Sequence, residues 1–590
     1  MRKVSLWIGV LGLFMIGVSA TLSQPSAKNE KRKVQYRGFT VCTMDEKTLR
    51  EAVVDWNANQ VRYMMCPVWR TPNRAAGQYM ATWKQILADL PAGLDRAKAL
   101  NLAVVLDLHQ LPDDHPKTYS KDDGENSRLW WYDQDNLKLL IQCWKEVAEI
   151  CKDRDQVIWF DLLNEPCDTT IIHSKFSFPP TSPDWYQKTI NEIRKIDTKH
   201  PIVVETGPGM LSWGFTGFPI LKDPYHPVIY STHPYQPVLY THQGINDTKV
   251  LAWPGEFNDH GGGWWDRKRL EIELAPAIEF QKKHNVRIYA GEFSSPRWAP
   301  NSADFLRDCI EVFEKHGWDW NYHAWREAGV WSLEEPNEVD LYDKAGKYVK
   351  TALADPKEGL FYHPYGTPES GKAKRPEGLT DRGQVLKHYL DRNLTMFHKV
   401  LIIGNSITRH GPSEAIGWPN SCGMAATSED KDFAHVLFKK IGDAQPEVKP
   451  ELQLANVAKE AAMKGHEHLL PCTADLIVIE LGDNYRGKAN EAELQKPYEK
   501  MIADLRKGHS CRVICTSAWG NPALNPWIKK AADNQGAQYV DISHLFKDVK
   551  NRAVSEGHFK HDGVNWHPGN RGMSQIAETI WNALHPPSER

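Results

Sequence analysis

Val157-Ile158-Trp159-Phe160-Asp161-Leu162-Leu163-Asn164-Glu165-Pro166 starts as an apolar strand and ends in a carboxamide and a carboxylate set before a proline. A buried strand has no use for such groups at its end unless that end faces a cleft. The same pattern recurs along the chain. Arg62 lies in Gln60–Met65, Ala103–Leu108 runs into His109, and Val228–Thr232 runs into His233-Pro234-Tyr235. Arg287–Ala290 leads to Gly291-Glu292, and Asp319–Ala324 to Trp325. With Tyr36–Phe39 and Ile202–Glu205 these make eight short strands separated by helical stretches between residues 35 and 394, which predicts an α/β fold, a (β/α)8 barrel. The polar strand ends then gather at one mouth. Pro112–Arg128, Gln243–Gly263 and Pro336–Pro376 read as loops over it.

The chain has 590 residues, too many for one ordinary core. Its 72 Lys plus Arg balance 75 Asp plus Glu, which removes any global attraction to nucleic acid or anionic membrane. Trp is the most abundant aromatic at 23, against 20 Tyr and 18 Phe. The excess lies in the barrel region. The ten Cys are scattered and frame neither a disulfide scaffold nor a metal site. Arg2 and Lys3, the short apolar run Leu6 to Val18 and the small residues of Val18-Ser19-Ala20 read as a signal peptide over residues 1–20, followed by a linker over 21–34. The expected location is secreted or periplasmic, with no membrane attachment after cleavage.

After the helical stretch Asp381–Leu390 a second αβ pattern fills residues 395–590. Val400-Leu401-Ile402-Ile403-Gly404-Asn405-Ser406 delivers a serine to a strand-to-helix turn, where hydroxyl and backbone N–H face a crevice. Asp475–Leu481 ends in Gly482-Asp483-Asn484, and Asp562-Gly563-Val564-Asn565-Trp566-His567 lies near the end of the chain.

The barrel residues Arg62, His109, Asn164-Glu165-Pro166, His233, Tyr235, Glu292 and Trp325 together resemble glycoside hydrolase family 5, the cellulase family of retaining TIM-barrel glycosidases. The resemblance implies Glu165 as acid/base and Glu292 as nucleophile. It makes Arg62 and Tyr235 the partners that keep Glu292 anionic, and Asn164 the donor to the sugar 2-hydroxyl. His109 and His233 would position substrate, and Trp325, for which Trp331 is the rival, would form the stacking floor, with Trp130, Trp131, Trp253, Trp264 and Trp265 as further platforms for sugar faces. Two carboxyl groups about 5–5.5 Å apart serve such a double displacement. The later residues resemble the SGNH, or GDSL-like, esterases, whose fold is a flavodoxin-like αβα sandwich. That implies Ser406 as nucleophile, His567 as its base, and Ser406, Asn484 and Ala458 as the oxyanion hole. Asp562 is the nearest carboxylate to orient His567, because Val564 stands where the family has its Asp; a Ser-His dyad is the alternative.

The combined expectation is a bifunctional enzyme for a β-linked polysaccharide or oligosaccharide, O-acetylated glycans among them, with no metal or organic cofactor. A glycosidase with a sugar-binding second domain, and a transglycosylase, are the alternatives. Neither the glycan and its linkage nor endo against exo cleavage is fixed by the sequence.

Overall fold

The computed structural model describes residues 34–585 except 73, 74, 76, 114–128, 172–177, 210, 246, 260, 364–377, 447 and 458. The chain divides at Gln35, and the leader lies outside the described residues. From Tyr36 onward the chain is one compact unit. Its first part is a closed barrel of eight parallel strands: β1 Arg37–Val41, β2 Gln60–Met65, β3 Ala103–Leu108, β4 Val157–Asp161, β5 Ile202–Glu205, β6 Ile229–Thr232, β7 Ile288–Phe293 and β8 Asp319–Tyr322. Each pairs with its sequence neighbours, and β8 closes on β1.

Alternation along the strands sorts their side chains. Val105, Trp159, Val203, Ile229 and Tyr289 form an apolar layer of their own inside the barrel. Val104, Leu106, Phe160, Val204 and Tyr230 join the larger core between strands and helices. One step of two residues beyond the inner layer stand Asp107, Asp161, Glu205, Ser231 and Gly291, on the same inward face. The interior is therefore apolar below and ionisable above.

Two of the expected mouth loops contain hairpins instead. Gly255–Glu256 pairs with Trp264–Trp265, and Val339–Tyr342 with Tyr348–Ala352. The second is held by Val339 and Leu341, which bury against Trp298 and Tyr362.

The second part is an open parallel sheet of β9 Lys399–Gly404, β10 Glu451–Asn456, β11 Leu476–Ile479, β12 Arg512–Thr516 and β13 Gln538–Val540, in the order β10-β9-β11-β12-β13. Val400, Ile402, Leu476, Val478 and Ile514 share a core with residues of the helices Phe433–Ala444 and Asn570–Leu584. Leu401, Ile403, Ile477, Ile479 and Val513 share another with Lys496–Arg506 and Asn525–Asn534. Both faces are thus covered, as fully apolar parallel strands require. The order reverses between β9 and β11, and in such sheets the crevice forms there, beyond the carboxyl ends of the strands.

Asp391 joins the two parts. It is 4% exposed, accepts from Asn57 Nδ2 at 2.7 Å, pairs with Lys387 Nζ at 2.9 Å and also takes Arg506. Asn57 Nδ2 donates in addition to the Cys511 carbonyl at 3.1 Å. Asp391→Ala strands two cations in a buried junction, and we expect it to cost about 3–5 kcal/mol. Denaturant unfolding of the full chain measures this, and a loss below ~1 kcal/mol contradicts the role assigned to Asp391.

Candidate active site

At the upper end of the barrel one guanidinium meets four carboxylates. Arg62, fully buried in β2, donates from Nη1 to Glu292 Oε1 at 2.6 Å, from Nε to Asp161 Oδ2 at 2.9 Å and from Nη2 to Glu205 Oε1 at 2.9 Å. Asp107 Oδ1 lies 3.0 Å from the same Nη2. Asn164 Oδ1 accepts from Nη2 at 3.1 Å, which fixes its amide with Nδ2 as the outward donor.

Glu292, near the end of β7, takes a second hydrogen bond from Tyr235 Oη at 3.1 Å. Around it lie His323 Nδ1 at 3.3 Å, His233 Nδ1 at 3.9 Å and His109 Nδ1 at 3.9 Å. Burial pushes the Glu292 carboxyl up, but His323, His233, Arg62 and His109 outweigh it and hold the group down at about 2. These cations favour its ionised form. Burial instead prevails at Asp107 and Asp161, driving both well above the usual carboxylate range in spite of Arg62.

Glu165 follows β4 with a left-handed backbone, φ 46°. Its Oε1 lies 3.1 Å from His233 Nδ1, and its backbone N–H donates to Glu205 Oε2 at 2.6 Å. Ligand-capable atoms of Glu165, His233 and Glu292 all lie within 4.8 Å of one another, so the two carboxylates approach closely. Gly291 makes room for this: a Cβ there would fall 2.8 Å from both His233 Nε2 and Ser231 Oγ.

The structure thus brings together Arg62, His109, Asn164, Glu165, His233, Tyr235 and Glu292. Trp325 is a correction. It is 4% exposed and packs against Phe39 and Trp56, at centroid distances of 4.9 and 5.6 Å, as part of the core. The half-buried Trp331 stands at the site instead, 6.1 Å from the His323 ring and 6.5 Å from Tyr235. Trp130, Trp131, Trp253 and Trp265 are also buried rather than exposed platforms, while Trp264 is exposed. The indole N–H groups of Trp130 and Trp131 are spent on the carbonyls of Pro112 and Cys167. Trp69, not expected, is exposed beside His109 with ring centroids 5.2 Å apart. Sequence reading also assigned no role to Asp107, Asp161, Glu205 or His323. The first three stand on the same inward face as the apolar layer, a signal that β-periodicity offered.

The second sheet holds a separate constellation at its carboxyl ends. Ser406 Oγ lies 2.8 Å from His567 Nε2. The other ring nitrogen, Nδ1, lies 2.7 Å from the carbonyl oxygen of Gly563. Asp562 does not reach the ring: it opens the short helix Asp562–Asn565 and is exposed, because that turn directs it outward. A backbone carbonyl therefore orients the histidine. Burial lowers the His567 pKa to about 4, only partly offset by the Gly563 carbonyl, so the ring is neutral near pH 7 and can accept a proton.

Asn484 does not simply face Ser406. Its Nδ2 donates to Glu460 Oε2 at 2.9 Å and its backbone N–H to Glu460 Oε1 at 3.3 Å. Gly482 N–H donates to the same Oε1 at 2.9 Å and Asn405 Nδ2 at 3.3 Å. Ala458 lies outside the described residues. All ten Cys are free thiols, Cys511 and Cys515 buried in one core cluster.

Residues 27–329 match the model of a family described as Cellulase (glycosyl hydrolase family 5). Endoglucanase C of Acetivibrio thermocellus is 24% identical over 260 residues, covering 39% of this chain and 70% of that protein. Cellodextrinase A of Ruminococcus flavefaciens is 25% identical over 231 residues, covering 38% and 63%. A solved hyperthermophilic endo-beta-1,4-glucanase in complex with substrate is 18% identical with TM-score 0.40, covering 54% of this chain and 94% of that one.

The neutral His567 beside Ser406 yields an expectation at the level of the site. A fluorophosphonate should label the full chain at Ser406, with a rate that falls only as pH drops toward about 4, and Ser406→Ala should not be labelled. A labelling limb near pH 7, or no labelling, contradicts this reading of the dyad.

Proposed function

The chain belongs to glycosyl hydrolase family 5, and from that premise we propose that it is a retaining β-glycosidase acting on a β-glucan or related β-linked glycan. The observation that carries the mechanism is the close pair of carboxylates, within 4.8 Å, only one of which is locked as an anion by surrounding cations. Retaining enzymes hold their carboxyl groups about 5–5.5 Å apart, whereas inverting ones leave about 6.5–9.5 Å for a water.

In this reading Glu292 attacks the anomeric carbon as Glu165 gives its proton to the departing oxygen. Glu165 then takes a proton from water, which displaces Glu292 and frees the sugar. Asn164 Nδ2, oriented by Arg62, donates to the 2-hydroxyl. Trp331 and Trp69 offer faces to the sugar rings. A sugar hydroxyl taking the place of water gives the transglycosylase variant of the same cycle. The names of the similar endoglucanases and cellodextrinase support a β-glucan as substrate.

For the sandwich we propose a serine esterase of the SGNH type, removing acyl groups that obstruct the barrel's subsites. Its support is the 2.8 Å Ser406–His567 contact at the switch point of the sheet. Xylan and glucomannan carry such O-acetyl groups. The leader pattern of residues 1–20 supports action outside the cytoplasm.

Assays on acetylated and deacetylated glycans test both activities. Glu292→Ala should reduce sugar release to background and Glu165→Ala should reduce it about 10²–10⁴-fold, with acetate release intact in both. Ser406→Ala should abolish acetate release alone. Reducing-sugar release that survives Glu292→Ala overturns the glycosidase assignment. Acetate release that survives Ser406→Ala overturns the esterase, and sugar binding without any ester hydrolysis makes the sandwich a binding module.

A further inference from the structure

We propose that Glu205, the last residue of β5, is a positioning residue for proton transfer by Glu165, holding that residue through its main chain and through the His233 ring. The inference rests on the glycosidase reading and goes beyond it. Glu205 is 2% exposed and reaches three elements of the site at once. Oε2 accepts from the Glu165 backbone N–H at 2.6 Å. Oε1 accepts from Arg62 Nη2 at 2.9 Å and lies 3.1 Å from His233 Nε2. The opposite nitrogen of that ring, Nδ1, is 3.1 Å from Glu165 Oε1. Glu165 is therefore gripped at both ends by one carboxylate, directly at its amide and indirectly at its carboxyl group.

Each contact has a physical reason. A non-glycine residue at φ 46° sits in a strained left-handed conformation, and a charge-assisted hydrogen bond from its own N–H holds it there. A His233 ring whose Nε2 faces a carboxylate carries a proton on that nitrogen. Burial lowers the His233 pKa, but Glu205, Glu292 and Glu165 outweigh it and hold the ring well above the usual histidine range, so Nδ1 carries a proton as well. Nδ1 donates to Glu165 Oε1 at 3.1 Å both while that carboxyl is an acid and after its proton has gone to the leaving group. The same geometry serves both halves of the cycle. Glu165 and Arg62 each present an N–H donor to Glu205, so both of its oxygens must accept, while His233 Nε2 adds an ion-pair contact at 3.1 Å. A glutamine there sets its NH2 against one of those donors without changing shape.

Arg62 keeps Glu292, Asp107 and Asp161 when Glu205 is neutralised, so the nucleophile retains its partners. The lesion falls on proton donation. The test compares kcat/KM of the full chain on two β-glucosidic substrates. One is a gluco-oligosaccharide, whose alkoxide leaving group needs a proton. The other is the 2,4-dinitrophenyl glycoside, whose phenolate leaves without one. Glu205→Gln should lower kcat/KM at least ~10-fold on the first and less than about 3-fold on the second. Glu165→Ala is the benchmark and should show the same pattern with a larger loss. Equal losses of Glu205→Gln on both substrates, or none on either, overturn the proposal while the benchmark stands. A benchmark with no leaving-group dependence overturns the role of Glu165 itself and this inference with it. Should the Gln variant not fold, Glu205→Asp keeps two acceptors but withdraws them by a methylene, and the same comparison applies.

Discussion

The buried Arg62 guanidinium is the constraint around which the barrel site is arranged. It is a single cation among Asp107, Asp161, Glu205 and Glu292, more negative charge than one guanidinium neutralises. Burying unpaired charges is costly, so the excess must be protonated or balanced from elsewhere. Both happen. Asp107 and Asp161, deepest in the barrel, are driven toward the neutral form by burial. Glu292, nearer the mouth, is balanced by three histidines as well as by Arg62. The negative charge is thereby directed to Glu292, as the nucleophile role proposed for it requires.

The sandwich solves a different problem with different means. Its Ser406–His567 pair is oriented by a peptide carbonyl, and the ring stays neutral through burial rather than being poised by a carboxylate. Carboxylates are present nearby but serve the loops. Asp483 accepts the N–H groups of Trp519 and Gly520 at 2.9 and 2.8 Å, and Glu460 ties Asn405, Gly482 and Asn484 together. Glu480 beneath them is driven well above the usual carboxylate range, chiefly by burial and then by Asp483 and Glu460. A neutral base with a dipolar rather than charged partner gains less when it takes the proton from serine.

The barrel was legible because two codes coincide in it: a period of two within short apolar strands, and an abrupt change to ionisable residues at each strand's end. Those ends named Arg62, His109, Asn164, Glu165, His233 and Glu292. What escaped was decided by packing in three dimensions. A tryptophan count does not say which rings face water, and all but four of the seventeen in the barrel region are buried; Trp69 and Trp264 are exposed, Trp213 and Trp331 half-buried. Trp325 and Trp331 are six residues apart, and only the path of the chain after β8 decides which reaches the cleft. Asp562 was the plausible carboxylate by proximity in sequence, yet one helical turn sends it outward and offers the Gly563 carbonyl in its place. Glu205 was visible as an acid closing an apolar strand and gains meaning only from the three donors that converge on it.

The central claim is that a pre-ionised Glu292 attacks the sugar and that configuration is therefore retained through two displacements. Proton NMR of the first seconds of hydrolysis of a β-linked gluco-oligosaccharide observes this before mutarotation intervenes. The account predicts that the newly formed reducing end appears as the β anomer and only later equilibrates. Initial appearance of the α anomer contradicts it.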